Sequence, residues 1–432
     1  MHPHEFSCQC ANLFLDRLLA KKLAQVKPGT LFVGVDLGRD RNVAVIINGG
    51  AQRLAKMSFP HDQGGYAYFR RRLRKLQAKH EASALLVGME PSNYFWKLLA
   101  TELERHQLPY RLVNPYTVKK HREGDQLDRS KDDVRDAFAI ADLLRTGKFT
   151  ETQLLHGAYA ELRQYATLYE RLRCEIVRQK NRLHSGVGQL FPELTRVFKD
   201  PSGKTARAML YNHAVAAVIC DLSEESFIAG VQADFEGQRM CVAKLRRAHG
   251  LAANSVGLQD GVQALQLMVK QELQTLAVLE RQWEEARETL VDTFLALPES
   301  HYMLSIHGLG LVSAAIILAE IGDPSHYHHG RQWIKLAGSQ PMPNLSGRKT
   351  RSRTPMSRKG RPRLRTTLYF AVMRLVQLDD AFGREYLRFQ QRDKNPLTKM
   401  QALGALMNKL LRILWALVRK QTFYNPAFVH AG

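Results

Sequence analysis

LFVGVD, Leu31 to Asp36, is apolar at every position but the last and ends on a carboxylate. Short apolar runs of this kind read as buried strands. Two more follow at close spacing, RNVAVIING (41–49) and RLAKMSF (53–59), with Gly38, Asn48, Gly49 and Gly50 as turn residues, so the three read as a meander. Outward from it, 64–79 is basic and helical, and ALLVGME (84–90) is a second buried strand ending on a carboxylate. A helix covers 93–105, YRLVN (110–114) is a strand, a loop follows, and 131–146 is a helix that begins acidic and continues apolar. Strands followed by alternating helix and strand describe an α/β domain with a mixed sheet, here 29–150, after a leader at 1–28.

The acids of this domain have an order. Asp36 and Glu90 each end a strand, which puts them at the sheet edge where ligands of open α/β sheets gather. Asp133 and Asp136 lie three apart at a helix start and share a helical face. Four carboxylates converging from separate segments repel unless cations sit between them, and oxygen ligands suit hard divalent ions. Two such ions about 4 Å apart activate an attacking oxygen and stabilise a leaving one in phosphodiester cleavage. Each acid also has a plainer reading: Asp36 caps a turn, Glu90 is a surface acid before Pro91, and Asp133 and Asp136 serve a helix dipole.

From about 156 the pattern is helical. Leu162, Tyr165, Tyr169, Leu172, Ile176, Leu183 and Leu190 form one near-heptad stripe. Val262, Leu265, Val269, Leu276, Leu279, Trp283, Ala286 and Leu290 form another, broken by Glu272. The segment 151–299 is a helical or coiled-coil linker whose stripes pack on each other or on a second subunit. The last segment, 300–432, is Gly-rich, basic and mostly helical, and ends in an amphipathic helix at 396–424 that packs on its own domain. The fold class is therefore α/β plus α.

Paired glycines at Gly308 and Gly310 precede an apolar helix and offer backbone N–H groups to phosphate, or simply turn the chain between two core helices. Between Gly347 and Arg365 stand nine cations and no acid: Arg348, Lys349, Arg351, Arg353, Arg358, Lys359, Arg361, Arg363 and Arg365. With Ser, Thr, Gly and Pro interspersed, this reads as a loop that tracks a nucleic-acid backbone. A serine in that field can attack phosphorus. Position alone does not separate Ser339, Ser346, Ser352 and Ser357.

The bulk numbers agree. A chain of 432 residues suits two or three domains, and a formal net charge of +22 points to a polyanionic partner. No apolar run reaches the ~18 residues of a spanning helix, so no membrane role is expected. Five scattered cysteines suit a reducing cytoplasm, and His2, His4, Cys8 and Cys10 fit no standard zinc spacing.

GVDLGRDRNVAVI, GMEPSNYFWKLL, VNPYTVKKHRE and SKDDVRDAFAIADLL resemble the N-terminal domain of the DEDD transposases of bacterial insertion sequences, the insertion sequence 110 family with its 1111 subgroup. The resemblance implies a RuvC-like, RNase H-type fold. The family pattern Lys-Thr-Asp-x-x-Asp-Ala falls on Lys131 to Ala137, with Asp132 in place of the usual Thr. It implies Asp36, Glu90, Asp133 and Asp136 as a quartet for Mg²⁺ or Mn²⁺. Residues 304–372 resemble the family's C-terminal transposase domain, with Ser339-Gln340-Pro341 where Leu-Ala-Pro is commoner. There the resemblance implies Ser346, before Gly347, as nucleophile.

The same likeness implies donor and target DNA, a structured bridge RNA as guide, and a dimer or tetramer in which quartet and serine meet from different subunits. The site would be the nucleoid of a bacterial cytoplasm. Two rivals differ in chemistry: a RuvC-like nuclease using water, and a non-catalytic nucleic-acid-binding protein.

Overall fold

A computed structural model of the chain describes residues 22–24, 26–125, 132–150, 154–233, 239–342, 345–346, 349–350 and 355–426. His2, His4, Cys8 and Cys10 lie outside them. The chain divides into two compact units, Met1–Leu154 and Leu155–Gly432.

The first unit holds strands β1 (Thr30–Leu37), β2 (Arg41–Ile47), β3 (Arg53–Pro60), β4 (Ala84–Met89) and β5 (Tyr110–Leu112). Its helices are α1 (Gln63–Lys79), α2 (Phe95–Arg105), α3 (Pro115–Asp125) and α4 (Asp133–Arg145). The sheet order is β3-β2-β1-β4-β5. The meander pairs antiparallel, and β1–β4 and β4–β5 pair parallel. This is the mixed sheet the sequence predicts.

Alternation sorts the side chains. Leu31, Val33, Val35 and Leu37 join one core with Phe69, Leu73 and Leu76 of α1 and Leu99 and Leu103 of α2. Phe32 of β1 joins the opposite core with Ala137, Ile140, Ala141 and Leu144 of α4. On that face β1 and β4 carry Gly34 and Gly88 in register. A Cβ on Gly34 would stand 1.9 Å from the Ala137 carbonyl oxygen and 2.5 Å from the Ala141 nitrogen. A Cβ on Gly88 would stand 2.6 Å from a Leu144 methyl. The two glycines let the helix lie directly on the sheet.

Helix α3 occupies residues expected to be a loop. Pro115 opens it, and the Asn114 side chain accepts from the Tyr116 N–H at 2.9 Å. Its face is mostly polar, with Val118 as its anchor in the α4 core, so no apolar period marks it.

The second unit is built on two long helices, α5 (Gly157–Leu190) and a later one. Between them lie α6 (Lys204–Asn212), α7 (Ala216–Cys220), α8 (Glu224–Ala233) and α9 (Val242–Ala252). The second long helix is α10 (Val262–Leu295), followed by α11 (Glu299–Leu304), α12 (Leu311–Ile321) and α13 (Gly330–Ala337). A short hairpin, β6 (Leu345–Ser346) and β7 (Lys349–Thr350), precedes α14 (Pro362–Leu378), α15 (Asp380–Gln391) and α16 (Lys399–Lys420).

The two heptad stripes meet each other within the chain. Tyr169 of α5 stacks on Trp283 of α10 at 5.3 Å. Further along, Gln179 donates to the Glu272 carbonyl at 3.1 Å, so the helices run antiparallel and the break in the second stripe faces a polar partner. One half of this pair joins the core of α6, α8 and α9 through Leu183, Val187, Val269 and Leu276. The other half joins the C-terminal core through Leu162, Tyr169, Leu290 and Phe294. Segments 155–299 and 300–432 therefore share a core. By length and composition α16 could cross a membrane, but Leu406, Leu410, Leu414 and Leu417 are buried in that core.

Candidate active site

The register that aligns Gly34 with Gly88 ends at Val35 opposite Met89, so the next pair is Asp36 and Glu90. Adjacent strands lie about 4.8 Å apart. Two residues beyond each glycine, both acids take the same face as the glycines, the one that α4 covers. Loops beyond the strand ends are tied down around them. Asn93 Nδ2 donates to the Leu37 carbonyl at 3.3 Å, and Asn93 Oδ1 accepts from the Phe95 N–H at 2.8 Å. His61 Nε2 meets the Gly38 carbonyl at 2.8 Å and its ring stacks on Phe95 at 4.4 Å.

Asp133 is the first residue of α4 and is exposed. It shares the face of Ala137 and Leu144, the residues that meet the two glycines. Asp132 caps the helix, accepting from the Val134 N–H at 3.1 Å. Asp136 is 8% exposed and is held by Arg122 of α3, whose Nη1 stands 2.8 and 3.0 Å from its two oxygens. Sequence reasoning expects one cluster of four acids. The structure carries Asp36 at the end of β1 and Glu90 one residue past β4, and places Asp136 on an arginine, and no group of three or more metal-capable side chains is gathered among the described residues. The physical reason is repulsion: a carboxylate pairs with the nearest guanidinium before it joins three like charges. The donor set, all oxygen and all ionisable, still fits a hard divalent cation.

Ser346 lies in the second unit. Its backbone pairs with Lys349, and Leu345 pairs with Thr350, so it is the last paired residue before a two-residue connection. Pro341 bridges Met356 in the same antiparallel sense, and Met342, Ser357 and Arg358 donate to Pro355, Gln340 and Gly338 at 2.8, 2.9 and 2.9 Å. The Ser346 and Lys349 side chains, and Arg348, Arg351, Arg353 and Ser352, lie outside the described residues. Ser339, by contrast, is 2% exposed, and its hydroxyl donates to Asn408 Oδ1 at 2.5 Å.

The rest of the basic run divides. Arg358 and Lys359 are exposed. Arg361 and Arg363 both reach Glu320, which is 4% exposed, with Arg361 Nη1 at 3.3 Å and Arg363 Nε at 2.5 Å. Arg363 also donates to the Ala166 carbonyl at 3.0 Å, and Arg365 to the Ala337 carbonyl at 2.8 Å. Arg163 of α5 completes the cluster, donating to the carbonyls of Ala319 and Glu320 at 2.7 and 2.9 Å. Burial first, and Arg361 next, pull its pKa down to about 10. Arg361 and Arg363, read from the sequence as backbone contacts, are held by a buried carboxylate 41 and 43 residues upstream, and Arg365 is held by a main-chain carbonyl. Gly308, at φ 89°, turns the chain against Leu375 and Leu378, and Gly310 caps α12.

Sequence reasoning missed two features. Arg122 gives no sign of itself beyond a basic stretch. On α1, Arg71, Arg72, Arg74, Lys75 and Lys79 are all exposed, and no acid stands in that helix. The run RRRLRK is legible as basic, but nothing in it assigns a partner.

Two family models define the chain as a transposase. A DEDD transposase model of IS110 type matches residues 33–192, and a transposase model of the IS116/IS110/IS902 family matches 300–388. The chain is 27% identical to the IS117 mini-circle protein of Streptomyces coelicolor, over 74% of this chain and 78% of that one. It is 25% identical to the 44.8 kDa protein of insertion element IS116 from Streptomyces clavuligerus, over 92% and 96%. A pilin gene-inverting protein of Moraxella lacunata is 30% identical over 28% of this chain and 39% of its own. The chain belongs to the IS110 family of insertion-sequence transposases.

Proposed function

We propose that this transposase cuts and rejoins DNA through a serine ester, with Asp36, Glu90, Asp133 and Asp136 holding Mg²⁺ or Mn²⁺ and Ser346 as nucleophile. The observation that supports the reading is the β1–β4 register, which runs to Val35 opposite Met89 and so leaves Asp36 and Glu90 next in line at the strand ends of a sheet that α4 covers. That helix brings Asp133 and Asp136, so all four acids belong to one layer of the first unit. Bound divalent ions would polarise the attacked phosphodiester and neutralise charge on the leaving oxygen. The chain's own part is to hold oxygen donors at the strand ends and to present a hydroxyl. The Ser346 Oγ–P bond forms as the P–O bond to the leaving strand breaks, and the serine proton ends on the leaving hydroxyl. A later DNA hydroxyl attacks the same phosphorus and releases serine, so the phosphodiester energy is kept.

Ser346 is supported by its place at the end of a hairpin inside the basic run. Donor and target DNA are the substrates. A structured bridge RNA supplies sequence choice, and the active form is a dimer or tetramer in the bacterial nucleoid. These follow from the family resemblance and the +22 charge.

The test is a denaturing gel of protein incubated with element-end DNA and Mg²⁺. The expected product is a protein–DNA species that proteolysis removes and peptide mapping places on Ser346. Ser346→Ala keeps DNA affinity and loses the adduct, and Asp136→Asn loses cleavage with binding intact. Cleavage by Ser346→Ala without an adduct makes the protein a nuclease that uses water. An adduct on Ser357 keeps the chemistry and moves the nucleophile.

A further inference from the structure

The Arg122–Asp136 pair has a geometry that matters for the acid site. Both carboxylate oxygens are reached by one guanidinium nitrogen, at 2.8 and 3.0 Å. The strong arrangement, two parallel N–H donors from two nitrogens, is not used. Asp136 is nearly buried, so as an ion it needs a counter-charge. The Arg122 side chain keeps 34% of its surface in solvent, so its fork is open to a second anion. Arg122 sits on α3, which also meets α4 through His121 and Asp142 at 3.0 Å and through buried Val118. The cation is thus carried by a short helix beside the acid-bearing helix, and not by the acid-bearing helix itself.

From this we propose that Arg122 is a positioning residue that stands on Asp136 in place of the metal and yields it when a strand phosphate takes the guanidinium. The inference rests on the four-acid reading above. A phosphodiester offers the planar fork a better match than one shared nitrogen. Arg122 and the divalent ion compete for one carboxylate, so whatever draws Arg122 away tightens the metal. Linkage makes the effect reciprocal: DNA raises metal affinity and metal raises DNA affinity by the same factor. An ion-loaded nuclease centre would then form on its substrate and stay weakly loaded without it.

Mn²⁺ binding to the full chain, followed by electron paramagnetic resonance with and without a short DNA duplex at low ionic strength, tests this. For the wild type the duplex should tighten Mn²⁺ by about tenfold, an ordinary coupling. Arg122→Gln should bind Mn²⁺ about tenfold tighter without DNA and gain nothing from the duplex. Arg122→Lys keeps the charge and loses the fork, so it should stay weak without DNA and lose most of the coupling; it also controls for folding. If Asp136→Asn binds Mn²⁺ as the wild type does, the four-acid reading falls, whatever Arg122 does. If binding needs Asp136 but both Arg122 variants match the wild type with and without duplex, the placeholder role is overturned and the acid site stands.

Discussion

Gly34→Ala is the smallest change that separates the packing of the first unit from its chemistry. The new methyl would meet the Ala137 carbonyl oxygen at 1.9 Å and the Ala141 nitrogen at 2.5 Å. Both are backbone atoms, so no rotamer relieves the clash. Ordinary contact is restored only if α4 withdraws by roughly 1.5 Å. Overpacking costs about 1–3 kcal/mol, and opposed backbone puts this case near the top. For a unit of about 150 residues, that is a fall in Tm of roughly 6–10 °C. The same withdrawal carries Asp133 and Asp136 away from Asp36 and Glu90. A misplacement of about 1 Å costs about a hundredfold in rate.

Gly34→Ala should therefore melt early, bind DNA as the wild type does, and cleave about a hundredfold slower at a temperature where it is folded. Gly49→Ala is the control, since a Cβ there meets nothing within 4 Å. Calorimetry, fluorescence anisotropy and a cleavage time course read the three quantities. Wild-type melting would refute the close approach of helix and sheet. A lowered Tm with unchanged cleavage would keep that packing and remove the α4 acids from the chemistry.

Other outcomes follow from the second unit. Glu320→Gln leaves Arg361 and Arg363 facing a neutral amide inside the protein, which should cost about 3 kcal/mol and several degrees of Tm, read by calorimetry. Ser339→Ala removes the bond to Asn408 and should lower stability by about 1–2 kcal/mol while the protein–DNA adduct still forms, as gel and melt together would show. Neutralising Arg358 and Lys359 together should flatten the dependence of DNA affinity on salt by about 0.9 log units per lost duplex contact. Neutralising Arg365, which serves the Ala337 carbonyl, should leave that slope alone. Equal slopes for the two changes would put Arg365 back among the phosphate contacts.

Much of the first unit is legible because strand faces are written in alternation. Leu31, Val33 and Val35 fall on one side and Phe32 on the other, so Asp36 has a predictable face once β1 is recognised. The glycines of LFVGVD and ALLVGME are visible too, but their reason is not, because the helix they receive lies about a hundred residues downstream of the first and about fifty downstream of the second. Helix α3 escapes for want of an apolar period. The pairing of Asp136 with Arg122 escapes because an ion pair between two helices leaves no period at all. The two long stripes are readable as helices, and only the structure shows that they meet each other, since heptad spacing serves partners inside and outside a chain equally well.

The basic run shows where counting charges stops being a guide. Nine cations without an acid over 347–365 look like one continuous phosphate surface. Charge is neutralised in space and not along the chain, and Glu320 on α12 neutralises part of this run from another helix. A carboxylate that is 4% exposed cannot stand alone, so α14 must begin with cations for α12 to keep its acid. Arg361 and Arg363 thus serve the fold, while Arg358 and Lys359 are exposed, as the proposed contact with a polyanion requires. The division leaves six of the nine cations as candidates for phosphate contact, and of these Arg358 and Lys359 are the exposed pair among the described residues, so the salt experiment begins with them.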